Sequence, residues 1–71
     1  MKITKENLVN LGFIPLNGFI DNFELHKNGV KVFIKKDVNT DKFFLYKNAK
    51  HLNSALETIE QVLALVPEIS V

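Results

Sequence analysis

Between Phe23 and Lys35 the chain alternates apolar and polar residues on either side of Asn28-Gly29. A period of two places successive side chains on opposite faces of a strand. Asn-Gly readily takes the two positive φ angles of a type I′ turn, whose twist matches that of paired strands. A two-residue loop then sets the register, with Lys27 opposite Val30, Leu25 opposite Val32 and Phe23 opposite Ile34. One face of the hairpin holds Phe23, Leu25, Val30, Val32 and Ile34. The other holds Glu24, His26, Lys31, Phe33 and Lys35. The first set must face the core, because a slip of one residue would bury the charges instead.

A turn rich in Asp, Asn and Thr follows, Asp37 to Asp41, and leads to a third strand, Lys42 to Lys47. Lys42 and Asn48 share a parity with Phe44 and Tyr46, so that set is expected outward, with Phe43 and Leu45 inward. Residues 14–22 are expected to form a loop leading to the sheet. The alternative is a tight turn at Asn17-Gly18 joining Phe13–Leu16 to Phe19–Asn22.

Two helices bracket these strands. Thr4 is placed to cap the first, with Ile3 and Leu8 forming a hydrophobic staple across the cap. Leu8 and Leu11 share a face. Gly12 stands where a left-handed residue ends a helix, and Phe13 can close back on Leu8. Pro15 prevents continuation. For the last helix, Ser54-Ala55-Leu56-Glu57 matches a capping box. Leu52, Ala55, Leu56, Ile59, Val62, Leu63 and Val66 fall on one stripe at helical spacing, and Pro67 ends it. The tail from Glu68 to Val71 is expected to fray. Together these predict one α+β domain over residues 1–71. It would be a two-layer fold of order α-β-β-β-α, a three-stranded antiparallel meander with both helices on one face. The expected core is Leu8, Leu11, Phe13, Phe23, Leu25, Val32, Ile34, Leu45, Leu56, Ile59 and Leu63.

Composition narrows the chemistry. At 71 residues there is room for one small core, and with no cysteine it cannot be stapled by disulfides. His26 and His51 supply too few nitrogen ligands to suggest a zinc cluster. Six phenylalanines and 46% hydrophobic residues argue against disorder. Lys5, Glu6, Asn7 and Asn10 interrupt any leader-like apolar run, and no stretch is apolar over the ~18 residues of a membrane span. A cytoplasmic protein is therefore expected. The net charge of +1 is unevenly spread: residues 24–50 carry seven lysines against Glu24, Asp37 and Asp41, whereas residues 51–71 carry Glu57, Glu60 and Glu68 without a lysine.

No catalytic, metal or cofactor motif stands out. Ser54 is accounted for as a cap, and Ser70 lies in no glycine-rich turn. His26 and His51 read as surface residues. Gly12, Gly18 and Gly29 are too dispersed for a phosphate loop. Asp37 and Asp41 lack the glycine and glutamate of a calcium loop. The expectation is a non-enzymatic protein with no cofactor.

The residues that folding leaves unexplained are Phe33, Phe44 and Tyr46 on the outer sheet face, with Lys31, Lys35 and Lys42 around them and Glu24 and His26 at the edge. Such a group can simply pair across strands. It can also mark a protein contact, a homodimer included, through that face or an edge strand. Aromatic rings among lysines can equally stack bases and hold phosphates. The leading expectation is a non-catalytic interaction or adaptor module that self-associates through the outer sheet face. The alternative is weak, sequence-independent nucleic-acid binding by the same face.

The order helix, three strands, helix resembles the double-stranded-RNA-binding domain. That family carries a lysine cluster where this chain has Asn53-Ser54-Ala55-Leu56-Glu57, and its first helix is longer, so none of its RNA-binding residues carry over. The Leu-x-x-Leu-Gly-Phe segment from Leu8 to Phe13, followed by a meander and an amphipathic helix, is similar to short uncharacterised bacterial and phage or mobile-element proteins. That likeness implies an accessory or adaptor role rather than catalysis.

Overall fold

A computed structural model describes residues 1–16 and 21–70. Helix α1 (Lys5–Leu11) leads to five strands: β1 (Ile14–Pro15), β2 (Asn22–Lys27), β3 (Val30–Lys36), β4 (Phe43–Lys47) and β5 (Lys50–Leu56). Helix α2 (Ile59–Leu65) and a 3-10 turn (Pro67–Ser70) complete the chain. The strands form one antiparallel sheet in the order β1-β2-β3-β4-β5. The three-stranded meander expected from the sequence is therefore incorrect: the sheet has a further strand at each edge.

The β2–β3 hairpin has the expected register, with Leu25 opposite Val32 and Phe23 opposite Ile34. Its turn has φ of 51° at Asn28 and 79° at Gly29. A second turn of the same kind joins β4 to β5, with φ of 51° at Asn48 and 68° at Ala49. Alanine is costly in the left-handed region, so this pair carries a weaker turn signature than Asn-Gly. The turn docks on β3, where the Lys31 N–H donates to Asn48 Oδ1 (3.0 Å) and the Asn48 N–H donates to the Lys31 carbonyl (2.8 Å). At the opposite edge, Ile14 pairs with Glu24 and Pro15 with Phe23, so residues 14 and 15 belong to the sheet and not to a loop. The Asn17-Gly18 turn considered above lies outside the described residues.

Residues 50–56 are a strand where the start of a helix was expected. Ser54 lies within β5, and α2 begins at Ile59. The capping box is Thr58 with Gln61: the Gln61 N–H donates to Thr58 Oγ1 (3.2 Å) and the Thr58 N–H to Gln61 Oε1 (3.0 Å). The error has a physical source. Phe43 faces Leu56, Leu45 faces Asn53 and Tyr46 faces His51, so β5 contains two irregularities that each add a residue. Extra residues erase the two-residue alternation. Leu52, Leu56 and Ile59 are left at spacings that imitate a helix.

Helix α1 is built as the sequence indicates. Thr4 Oγ1 accepts from the Asn7 N–H (3.1 Å), and Gly12 ends the helix at φ 108°. A Cβ at Gly12 would also sit 3.3 Å from Leu25 Cδ1, so both the backbone and the close approach favour glycine. Ile3, Leu8 and Phe13 join Ile59, Val62, Val66 and Ile69 in one cluster with the inner residues of β2 to β5. Both helices therefore cover one face of the sheet. Of the expected core, Leu11 and Leu63 are only partly buried, at its rim. Phe43 and Leu45 point inward as their parity predicts.

Residues Glu68 to Ser70 pack against the sheet rather than fraying, and Val71 lies outside the described residues. Ile69 is 2% exposed. Lys27 Nζ donates to the Ile69 carbonyl (3.1 Å), Asn28 Nδ2 to the Glu68 carbonyl (2.8 Å), and Lys47 Nζ to Glu68 Oε2 (2.8 Å). At the other end the Met1 ammonium lies 2.6 Å from Glu60 Oε1, and the Ile59 N–H donates to the Met1 carbonyl (2.8 Å). Among the described residues, no helix is long and apolar enough to cross a membrane.

Candidate interaction face

With both helices on one side, the strand register alone decides what the other side displays. Ile14, Glu24, Phe33, Tyr46 and His51 are successive cross-strand partners and form a row spanning all five strands. The neighbouring row is Asn22, Lys35 and Phe44. The expected outer residues Phe33, Phe44, Tyr46, Lys31 and Lys35 thus share one face. Phe33, Phe44 and Tyr46 are partly buried, whereas Lys31 and Lys35 are exposed. Lys42 differs from them in having a carboxylate partner, its Nζ lying 3.5 Å from Glu57 Oε1.

The rings touch chiefly one another. Phe33 and Tyr46 have centroids 5.9 Å apart and are tilted by 58°. His51 lies 5.1 Å from Tyr46 and 6.0 Å from Phe44, centroid to centroid. Beside Phe33 and Tyr46 the surface dips into an open groove of about 500 Å³, bordered by Asn22, Glu24, Lys31, Lys35 and the Asn48-Ala49 turn.

His51 and Ile14 are members of the face that sequence reasoning missed. Ile14 is 67% exposed, opposite Glu24. Had Asn48-Ala49 been recognised as a two-residue turn, Tyr46 opposite His51 would have followed directly. Ile14 had no comparable signal, since its strand is two residues long.

Each acidic residue of the C-terminal region has an internal cation: Glu57 has Lys42, Glu60 the N-terminal ammonium, and Glu68 Lys47. Lys36 lies 3.5 Å from Asp41. On the face itself, Glu24 Oε1 is 2.6 Å from His26 Nε2. That hydrogen bond, with a smaller contribution from the Lys31 charge, holds the Glu24 carboxyl below its ordinary range. Among the described residues, Lys31 and Lys35 have no carboxylate within ion-pair reach. The outer face therefore keeps a positive surplus beside its rings.

The described residues contain no group of three or more His, Cys, Asp or Glu side chains placed to hold a metal ion. The Ser70 hydroxyl donates to the Pro67 carbonyl (2.9 Å) within its own turn. Comparison with protein-family models, curated proteins and solved structures returns no match to this chain. The helix–sheet–helix arrangement is broadly that of the double-stranded-RNA-binding domain, but with five strands instead of three.

Proposed function

We propose that this protein is a non-catalytic interaction module whose contact surface is the outer sheet face. One observation carries the reading: both helices and the C-terminal turn pack on the inner face, while Phe33, Phe44, Tyr46 and His51 pair with one another on the outer one, which no helix among the described residues covers. Edge pairing receives less support. β1 is two residues long and includes Pro15, which has no N–H, and β5 is broken by two irregularities. Short, bulged or proline-bearing edges resist strand addition.

The experiment asks whether the rings serve folding or contact. Replacing Phe33 and Tyr46 together by threonine keeps good strand formers in place. If the rings serve contact, this variant costs about 1 kcal/mol or less, the range of an exposed cross-strand pair. A loss of several kcal/mol in denaturant titration would assign the rings to folding and overturn the reading.

Two occupants match the face, a second copy of the chain and a nucleic acid. Light scattering over a range of protein and salt concentrations tests the first. Self-association through this face is expected to disappear on Phe33→Glu and on Phe33→Lys, with the monomer still folded. Association that survived both substitutions would remove the face from consideration as a dimer interface.

A further inference from the structure

We infer that the occupant of the outer face is single-stranded nucleic acid, bound by its bases and phosphates with little regard to sequence. The inference rests on the reading of that face as the contact surface, and four observations favour this partner.

The first is the alternation along β3, where Lys31, Phe33 and Lys35 are successive outward residues. Cation, ring and cation repeat at two-residue steps, about 6.8 Å each. Lys35 also lies directly across from Phe44. Phe33 and Phe44 therefore each have a lysine at a neighbouring position of the face to meet the phosphate adjoining a stacked base.

The second is the spacing of the rings. Phe33 and Tyr46 are direct cross-strand partners, and Phe44 stands two residues from Tyr46 along β4. That step is about twice the ~3.4 Å rise of a stacked strand. Bases seated on both platforms must be splayed apart, which a single strand permits and a duplex does not.

The third is charge. The ion pairs described above neutralise the acidic residues of α2 and the 3-10 turn within the molecule. The surplus on the sheet face is thus available to an external polyanion. The fourth concerns a second copy. An isologous contact would place the same patch on both sides and bring Lys31 and Lys35 towards their own equivalents. The one carboxylate on the face, Glu24, is engaged by His26. A stable dimer also needs about 800 Å² from each partner, a large share of the 4590 Å² this molecule exposes.

The test is fluorescence anisotropy of the intact chain with a labelled oligothymidylate of about 12 nucleotides, a length within the range of single-strand sites, and with a duplex of equal length. Titrations are run at low and at physiological salt. The single strand is expected to bind more tightly than the duplex, with affinity falling steeply as salt rises. Phe33→Ala with Tyr46→Ala should weaken binding about fivefold or more. Lys31→Gln with Lys35→Gln, both at exposed positions that leave the core intact, should weaken it and flatten the salt dependence, by about 0.7 in log-log slope per lost phosphate contact. Equal or tighter binding of the duplex would overturn the inference. So would affinity untouched by either pair of substitutions, or no binding by the folded protein at low salt. In that last case, self-association abolished by Phe33→Glu would leave the face as the contact surface with a different occupant. A large stability loss on removing the rings would instead end both readings.

Discussion

The two faces of this sheet are written on the same strands in alternate positions, yet they are covered differently. The inner face places Phe23, Leu25, Val32, Ile34, Leu45 and Leu56 against two seven-residue helices and a 3-10 turn. Its central members, Val32, Ile34, Leu45 and Leu56, are fully buried. The outer face holds aromatic side chains of comparable size that no helix among the described residues covers. Hydrophobic content alone therefore does not mark a core. What distinguishes the inner set is the presence of a second layer to exclude water, since the stabilisation scales with area removed from water. The outer rings of Phe33, Phe44 and Tyr46, interleaved with lysines, are only partly buried and leave a minor part of their area in solvent.

The sharpest way to break that comparison is to delete one side chain from the inner face. Leu56→Ala removes a fully buried residue at the junction of β5 and α2 and should cost roughly 2–5 kcal/mol. For a domain this small that loss approaches the whole stability, so thermal denaturation should show largely unfolded protein near physiological temperature. Phe33→Thr on the outer face should leave the transition almost in place. Equal losses at the two sites would erase the distinction between the faces.

A smaller effect tests what holds the second layer on. Thr58→Ala removes the side-chain acceptor that caps α2 and should cost about 1 kcal/mol in denaturant titration. Oligonucleotide binding on the far side of the sheet should be unchanged. A binding loss as large as that of the ring substitutions would show that the two layers are energetically coupled.

The smallest expected effect is the response to acid. The N-terminal ammonium bonded to Glu60 and the Lys47 ammonium bonded to Glu68 hold both carboxyls below their ordinary range. Groups with depressed pKa values add stability above the carboxylate pKa of the unfolded chain. They lose it as the pH falls through their lower folded values. The denaturation midpoint should thus be flat near neutrality and decline below the ordinary carboxylate range. Glu60 is solvent-exposed and Glu68 only partly buried, so the decline is modest. In Lys47→Met the Glu68 share of it should shrink to what its backbone hydrogen bond contributes. A midpoint that rose on acidification would contradict the assigned pairs.

Local chemistry made much of the inner face readable. Asn28-Gly29 is flanked by alternating residues, and a two-residue turn leaves one register that buries no charge. Thr4, Leu8, Gly12 and Phe13 agree on where α1 starts and stops. The interaction face was readable in its β3 and β4 parts for the same reason: Phe33, Lys31 and Lys35 follow from one hairpin, and Phe44 and Tyr46 from parity. Its margins were not. Ile14 belongs to a strand too short to have a pattern, and His51 sits beyond a turn whose second residue is alanine.

The segment from Lys50 to Gln61 shows where local reading ends. Ser54-x-x-Glu57 and Thr58-x-x-Gln61 both match a capping box, and Leu52, Leu56 and Ile59 suit a helical stripe. By itself the chain determined two helices, one tight hairpin, the inward set of β2 to β4 and an aromatic, lysine-rich remainder. The tertiary structure alone decided that residues 50–56 pair with β4, that residues 14 and 15 pair with β2, and that the tail closes over the β2–β3 turn. Those choices rest on backbone hydrogen bonds and contacts between residues distant in sequence. Irregular pairing leaves no periodic trace in the strand that adopts it, so the weak turn signature of Asn48-Ala49 was the one local hint of the β4–β5 pair.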